Sequence, residues 1–394
     1  MVQMNKRPSR RDFLKYSGAG ALGLSLRNLP FNDTRRVTEL LLYVGTYTTG
    51  KSEGIYLYRL NLTTGELRLA GTTGHVINPS FLSLSPDESY LYAVNEVDQF
   101  AGAKSGAVSA FAVDQRSGAL RLLNQQSSLG ASPCYLEVEA HGKFVLTANY
   151  GGGNVSVFPV QHDGSLGTAT DMQQDHGSGP NRERQEGPHA HCIVLDRTNQ
   201  FAYSCDLGTD RIMIFRFDNR NGKLLPADPP FVDLKPGDGP RHVAIHPTGA
   251  YAFVINELHS TVTAFARDKR KGSLTPLRTV STLPADFTGA NTGADIHVSA
   301  DGRFVYCSNR GHDSIGIFRF DPKAGLTAAG HESTRGRTPR NFGIDPSGRF
   351  LLVANQNSDN VVVFRRDEAT GRLSLITQVE VPSPVCVKFM RGRE

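Results

Sequence analysis

Pro339-Arg340-Asn341-Phe342-Gly343-Ile344-Asp345-Pro346-Ser347-Gly348-Arg349-Phe350-Leu351-Leu352-Val353-Ala354-Asn355 reads as two short strands around an Asp-Pro-Ser-Gly turn. Apolar residues crowd both arms, and Pro, Ser and Gly supply the reversal between them. Val361-Val362-Val363-Phe364 follows as a third strand, then a Thr370-Gly371 turn and a fourth strand, Leu373-Ser374-Leu375. The same unit recurs with starts at Pro79, Pro133, Pro188, Pro240, Gly293 and Pro339, spaced 46 to 55 residues apart. Turn signals fall nine residues after each start, at Glu88, Gly142, Arg197, Gly249, Gly302 and Gly348. Second strands end at Asn95, Asn149, Asp206, Asn256, Asn309 and Asn355. Four short strands per repeat of this length form one blade of a β-propeller.

Six blades are complete, and the chain ends supply a seventh. Leu40 to Thr46, Ile55 to Leu60 and Leu67 to Ala70 are its second, third and fourth strands, and Val385-Cys386-Val387-Lys388-Phe389 is its innermost. The expected fold is all-β: a seven-bladed β-propeller, four antiparallel strands per blade, closed by N- and C-terminal strands sharing one blade. Closure in this way removes the sheet edges that invite aggregation. The 394 residues, with 40 Gly, 21 Pro and no Trp, suit many short strands and a sizeable core.

The net charge of +5 is misleading, because it originates in the tail. Residues 1–36 hold eight Lys/Arg against Asp12 and Asp33, leaving 35 basic and 36 acidic residues in the remainder. That balance points to no nucleic-acid partner. Ser9-Arg10-Arg11-Asp12-Phe13-Leu14-Lys15 matches the bacterial twin-arginine export motif, and the Gly-rich apolar run from Tyr16 to Leu26 is too short for a membrane span. The expectation is a twin-arginine signal and linker over 1–36, a propeller over 37–394, the twin-arginine translocase as export partner, and a periplasmic or envelope location. Five cysteines lack metal-ligand spacing. Cys192 and Cys205 flank one predicted hairpin, where export permits a disulfide and nothing demands one.

In a propeller the start of strand one and the end of strand two meet at the same channel mouth. One residue past each start stand Ser80, Cys134, His189, Arg241, Ala294, Arg340 and Val385. Three past stand Leu82, Leu136, His191, Val243, Ile296, Phe342 and Val387, where His191 breaks an apolar column. After strand two come Glu96, Tyr150, Leu207, Glu257, Arg310 and Gln356. The candidate catalytic set is therefore His189, His191, Glu257 and Arg310, with Arg241, Asn149, Tyr150 and Asn309 as substrate contacts. Guanidiniums recognise carboxylate or phosphate, while imidazole and carboxylate move protons near neutral pH. The recurrence of Asn at the end of strand two favours loop capping over chemistry at those positions. Two nearby arginines argue against a metal on the histidines, and no P-loop, Gly-x-Ser-x-Gly, His-Glu-x-x-His or cofactor attachment motif occurs. Gly151-Gly152-Gly153 reads as a turn between strands. No metal or cofactor is expected.

Ala148 to Val157, Arg184 to His191, Asp206-Leu207-Gly208-Thr209-Asp210-Arg211, Gly239-Pro240-Arg241-His242 with Asn256-Glu257, and Ser308-Asn309-Arg310-Gly311-His312-Asp313-Ser314 together resemble the seven-bladed propeller lactonase family. That family includes bacterial propeller 6-phosphogluconolactonases and fungal carboxy-cis,cis-muconate lactonizing enzymes. The resemblance covers residues 40–390. It implies metal-independent opening or closing of a small anionic lactone, with family His, Arg, Glu and Arg positions falling on the Pro-His-x-His pair, Arg241, Glu257 and Arg310. Which histidine of the pair acts stays open. The export motif departs from the family picture, since 6-phosphogluconolactone is a cytoplasmic intermediate. A competing reading is a non-catalytic envelope propeller that binds a ligand or protein partner through the same mouth.

Overall fold

The structure, a computed structural model, describes residues 38–390. The twin-arginine motif and the 36/37 boundary lie outside them. Seven four-stranded antiparallel sheets are present, as expected. We number them as blades 1 to 7 in chain order. Blade 1 combines Glu39–Thr46, Gly54–Asn61 and Leu67–Gly74 with Pro384–Met390 as its innermost strand. The ladder that closes the ring pairs Leu41 with Met390 and Val44 with Val387. The innermost strands of blades 2 to 7 are Leu82–Leu84, Pro133–Val138, Ala190–Leu195, Pro240–Ile245, Thr292–Val298 and Pro339–Ile344.

The core lies between blades. Strand-two and strand-three residues of blade 7 (Leu352, Val363) pack against Leu42, Tyr58 and Val387 of blade 1, and each further interface repeats this pattern. Four strand-two tyrosines add a directional tie. Tyr43, Tyr92, Tyr203 and Tyr306 donate their buried hydroxyls to the carbonyls of Gly118, Gly164, Gly272 and Gly371, in the outer hairpin turn of the next blade. A buried hydroxyl needs such a partner, so these bonds hold adjacent blades in register.

One feature of the innermost strands decides what faces the channel. A β-bulge follows the first residue in blades 3, 4, 5 and 7, leaving Cys134, His191, Arg241 and Arg340 as the extra residue. Proline suits the residue before the bulge, because it lacks an N–H and interrupts the ladder. In blade 4, however, that place is taken by Ala190, which pairs with Asp206 as Pro240 pairs with Asn256. Pro188 is thus displaced by a two-residue insertion. The sequence alignment of His189 with Arg241, and of His191 with Val243, is corrected accordingly: His191 belongs with Arg241 and Arg340. The turn agrees, since the left-handed residue of blade 4 is Asn199 at φ 54°, not Arg197, in line with Gly142, Gly249, Gly302 and Gly348. Gly208 makes room for the insertion, because a Cβ there would run into the Gly187 carbonyl.

Cys192 and Cys205 are cross-strand partners, and both are buried free thiols.

Candidate active site

At the mouth where these bulges converge lies a cavity of about 240 Å³, lined by Tyr47, Glu96, Cys134, Tyr150, Arg184, His191, Glu257, Arg310 and Arg340. Glu257, 3% exposed, is the organising group. Its Oε1 accepts from Arg184 Nη2 at 2.6 Å, and its Oε2 lies 2.9 Å from Arg241 Nε and 3.0 Å from Arg310 Nη2. The Arg241 contact is a close charge contact with a poor hydrogen-bond angle, and among the described residues the Nε atoms of Arg241 and Arg310 have no well-aligned acceptor. Burial alone would raise the Glu257 pKa; Arg310, Arg241 and Arg184 outweigh it and bring it down to about 2.

The three guanidiniums differ although they share one carboxylate. Arg241 is enclosed, and burial, then Arg310 and Arg340, lower it to about 10. Arg310 is lowered as well, chiefly by burial. Burial lowers Arg184, but Glu257 and Tyr150 together more than offset it, so it is raised. Its loop is held by Gln185, which is fully buried and donates to Leu207 O at 2.8 Å while accepting from Asn181 N.

A second acid-base group faces the first across the mouth. Glu96 accepts from Tyr47 at 2.9 Å and from Ser80, and stands 3.9 Å from Arg340, whose guanidinium lies over the Tyr47 ring. Glu96 and Arg340 occupy, in blades 2 and 7, the same positions as Glu257 and Arg241 in blade 5. Sequence comparison set them in the right columns but did not select them, and it missed Arg184 and Tyr47.

The two histidines separate. His191 is buried in the cavity wall, its Nδ1 3.6 Å from Cys134 Sγ. Burial, then Arg241 and His242, hold it well below the ordinary histidine range, hence neutral at pH 7. His189 sits on the inserted segment. Its ring stacks on Tyr150 at 4.3 Å, Nδ1 contacts Tyr150 O and Nε2 contacts Glu186. Asp206 replaces the usual Asn there because an acceptor-only group is needed: it receives the N–H groups of His189, Gly208 and Thr209 and the Thr209 hydroxyl.

Tyr150, His191, Glu257 and Arg310 therefore line one cavity, and Arg241 lies behind Glu257. Asn149 and Asn309 do not line it. Their amides donate to Ser128 O and Thr282 O in the segments entering each blade, as Asn355 does to Thr334 O. Both are fully buried latches between blades. Gly151-Gly152-Gly153 forms a turn in which a Cβ on Gly152 would meet Gly130 Cα at 2.7 Å. Among the described residues no group of three or more His, Cys, Asp or Glu is arranged to hold a metal ion.

Comparison with known proteins identifies the family. The chain is 40% identical over 359 residues to a 6-phosphogluconolactonase of Bacillus subtilis, covering 90% of this chain and 99% of the relative. It is 39% identical to a 6-phosphogluconolactonase of Formosa agariphila, over 77% of this chain and 86% of that one. The solved structure of a periplasmic gluconolactonase from Pseudomonas aeruginosa superposes with a TM-score of 0.83 at 36% identity, over 90% of this chain and all of the other. Residues 41–389 match the family model described as lactonase, 7-bladed beta-propeller, and the chain belongs to that family.

Proposed function

We propose that this protein hydrolyses the ester bond of a sugar-acid lactone at the Glu257 cavity. The observation that carries the reading is the charge of that cavity: four guanidiniums converge there against two carboxylates, beside a buried neutral imidazole. Two formal positive charges are left over, which suits an anionic substrate and the oxyanion that forms on its carbonyl. Both oxygens of Glu257 are engaged by guanidiniums, so it holds the arginines in place rather than facing the attacking water. His191, neutral and facing the same space, is the group able to take a proton from the attacking water. His189 supports Tyr150 from behind. Arg184 and Arg310 are placed to bind the anion, with Arg340 opposite.

The test is hydrolysis of glucono-lactones, phosphorylated and not, followed by proton release. The phosphorylated arm separates the activity borne by the Bacillus and Formosa names from that borne by the Pseudomonas name. Arg310→Ala is expected to weaken binding and turnover roughly ten- to hundred-fold, the loss of one charge-assisted contact. A wild type that binds gluconate but opens no lactone faster than buffer does would make the protein a binding module instead.

His191→Gln is expected to lower kcat about a hundred-fold or more with KM little changed, as loss of a general base requires. Because the His191 pKa is depressed, its neutral form persists into acid. In the wild type kcat/KM should then stay level from pH 8 down to about 6, the range where an ordinary histidine would titrate. A fall centred near the ordinary histidine value would remove His191 from the base role.

We further propose that residues 1–36 are an export leader ahead of a propeller domain at 37–394, so that the enzyme acts in the periplasm or cell envelope. The twin-arginine run supports this. Changing both Arg10 and Arg11 to Lys should retain the protein in the cytoplasm. Undiminished protein in the periplasmic fraction would exclude this route.

A further inference from the structure

The channel has a second cavity, about 250 Å³, at the end away from Glu257. Its walls come from the innermost strands and the turns after them, with Phe81 just ahead of the blade 2 strand, and include Tyr135, Arg197, Asp295, His297 and Lys388. A septum of rings divides it from the first cavity. Tyr135 meets His242 edge-on at 5.2 Å, and His242 meets His191 edge-on at 5.2 Å. The reading that follows does not depend on lactone hydrolysis.

Asp295 is an acid in this wall, yet its charge is already committed. Its Oδ1 contacts His242 Nδ1 at 2.8 Å and accepts from Ile296 N. Its Oδ2 contacts His297 Nε2 at 3.0 Å and accepts from Asn341 Nδ2 at 2.6 Å and Phe342 N at 3.2 Å. Five donors saturate the carboxylate, so it offers little to an incoming cation. Glu137, near Lys388 on the blade 3 strand, is pushed by burial up to about 8 and is therefore largely protonated at pH 7. The cations are differently placed. Lys388 Nζ rests over the Phe81 ring at 4.5 Å, and neither it nor exposed Arg197 has a carboxylate within ion-pair distance among the described residues. The Phe81 ring is sandwiched between Lys388 and Tyr135, whose centroid lies 4.1 Å away, so the wall open beside the cations is Tyr135 continued by Ile245 and Val298. Among the described residues His297 Nδ1 has no hydrogen-bond partner.

A positive rim over an aromatic wall selects a ligand with a flat apolar body and one negative charge. We propose that this second cavity binds a small aromatic carboxylate, with the ring against Tyr135, Ile245 and Val298 and the carboxylate on Lys388 and Arg197. The site is separate from the lactone cavity, so its occupant leaves the lactone KM unchanged.

Benzoate is the probe, titrated into the full chain by calorimetry, with inorganic phosphate and benzyl alcohol as controls. Benzoate should bind at one site, and each control should bind at least about tenfold more weakly, since each lacks one of the two features. Lys388→Met keeps the stem on Phe81, and Arg197→Gln changes an exposed turn residue. Each should weaken benzoate about tenfold, the effect of losing one charge-assisted contact, without changing the melting temperature or lactone turnover. Arg310→Ala, in the other cavity, should leave benzoate affinity unchanged. The proposal fails if benzoate does not bind, if it competes with lactone, if phosphate binds as tightly, or if Arg310→Ala removes binding that the Lys388 and Arg197 variants retain.

Discussion

Glu257→Gln is expected to destabilise the protein by about 3–5 kcal/mol and to lower lactone turnover at least a hundred-fold. The carboxylate is the common counter-ion of Arg184, Arg241 and Arg310. An amide keeps the shape and removes the charge. Arg241, 1% exposed, has no water to turn to, and its remaining strong contact is the Ala294 carbonyl at 2.6 Å. Removing one partner of a buried ionic group leaves the desolvation penalty of the others unopposed, which is why the cost exceeds that of a surface pair. The effect has a definite pH dependence. The folded-state pKa of Glu257 is depressed from 4.5 to about 2, so its contribution is fully present above about 4.5 and is lost as pH falls through 2. The difference between wild type and variant in urea unfolding should therefore be largest near neutrality and shrink as the buffer is taken from pH 5 toward 3. A loss under about 1 kcal/mol at pH 7 would mean that the guanidinium array is held by something other than Glu257.

Deleting residues 382–394 should leave a chain that aggregates or fails to fold. Pro384–Met390 is the innermost strand of blade 1, and without it Glu39–Thr46 presents an open edge at the channel. Val385, Val387 and Met390 are each no more than 3% exposed. Burying three such side chains is worth roughly 4–9 kcal/mol, comparable to the whole stability of an ordinary domain. Asn341 Oδ1 would also lose the Val387 N–H, bonded at 2.7 Å, which ties blade 7 to the closing strand. A soluble, monomeric truncation with an unchanged melting profile would show that this strand does not close the ring.

Most of the fold was legible in the chain because its determinants are local. Each of blades 2 to 7 repeats its own apolar alternation, its own left-handed turn residue and its own strand-ending Asn or Asp, so copies can be compared without any structure. The terminal strands declared themselves because six complete blades left four strands unassigned. The mouth residues were legible for the same reason: Arg241, Glu257, Arg310 and the His189–His191 run stand where the repeat changes character.

What the chain did not disclose depends on distances between blades. The separation of Pro188 from Asp206 is eighteen residues where Pro240 and Asn256 are sixteen apart, so an insertion was countable. Its place became definite only from the ladder that pairs Ala190 with Asp206, and this moved His191 into the column of Arg241. Asn149 and Asn309 looked available until their amides were seen bonded to Ser128 O and Thr282 O. Arg184 comes from a loop, and Glu96, Tyr47 and Arg340 come from three different blades; no local pattern joins them. Sequence by itself determined the blades, the ring closure and which residue types reach the mouth, since alternation and turn chemistry act over a few residues. Only the tertiary structure decided the charge state and task of each group, because those follow from burial and from Coulomb interactions that fall off within a few ångströms, between residues that ring closure brings together from distant parts of the chain.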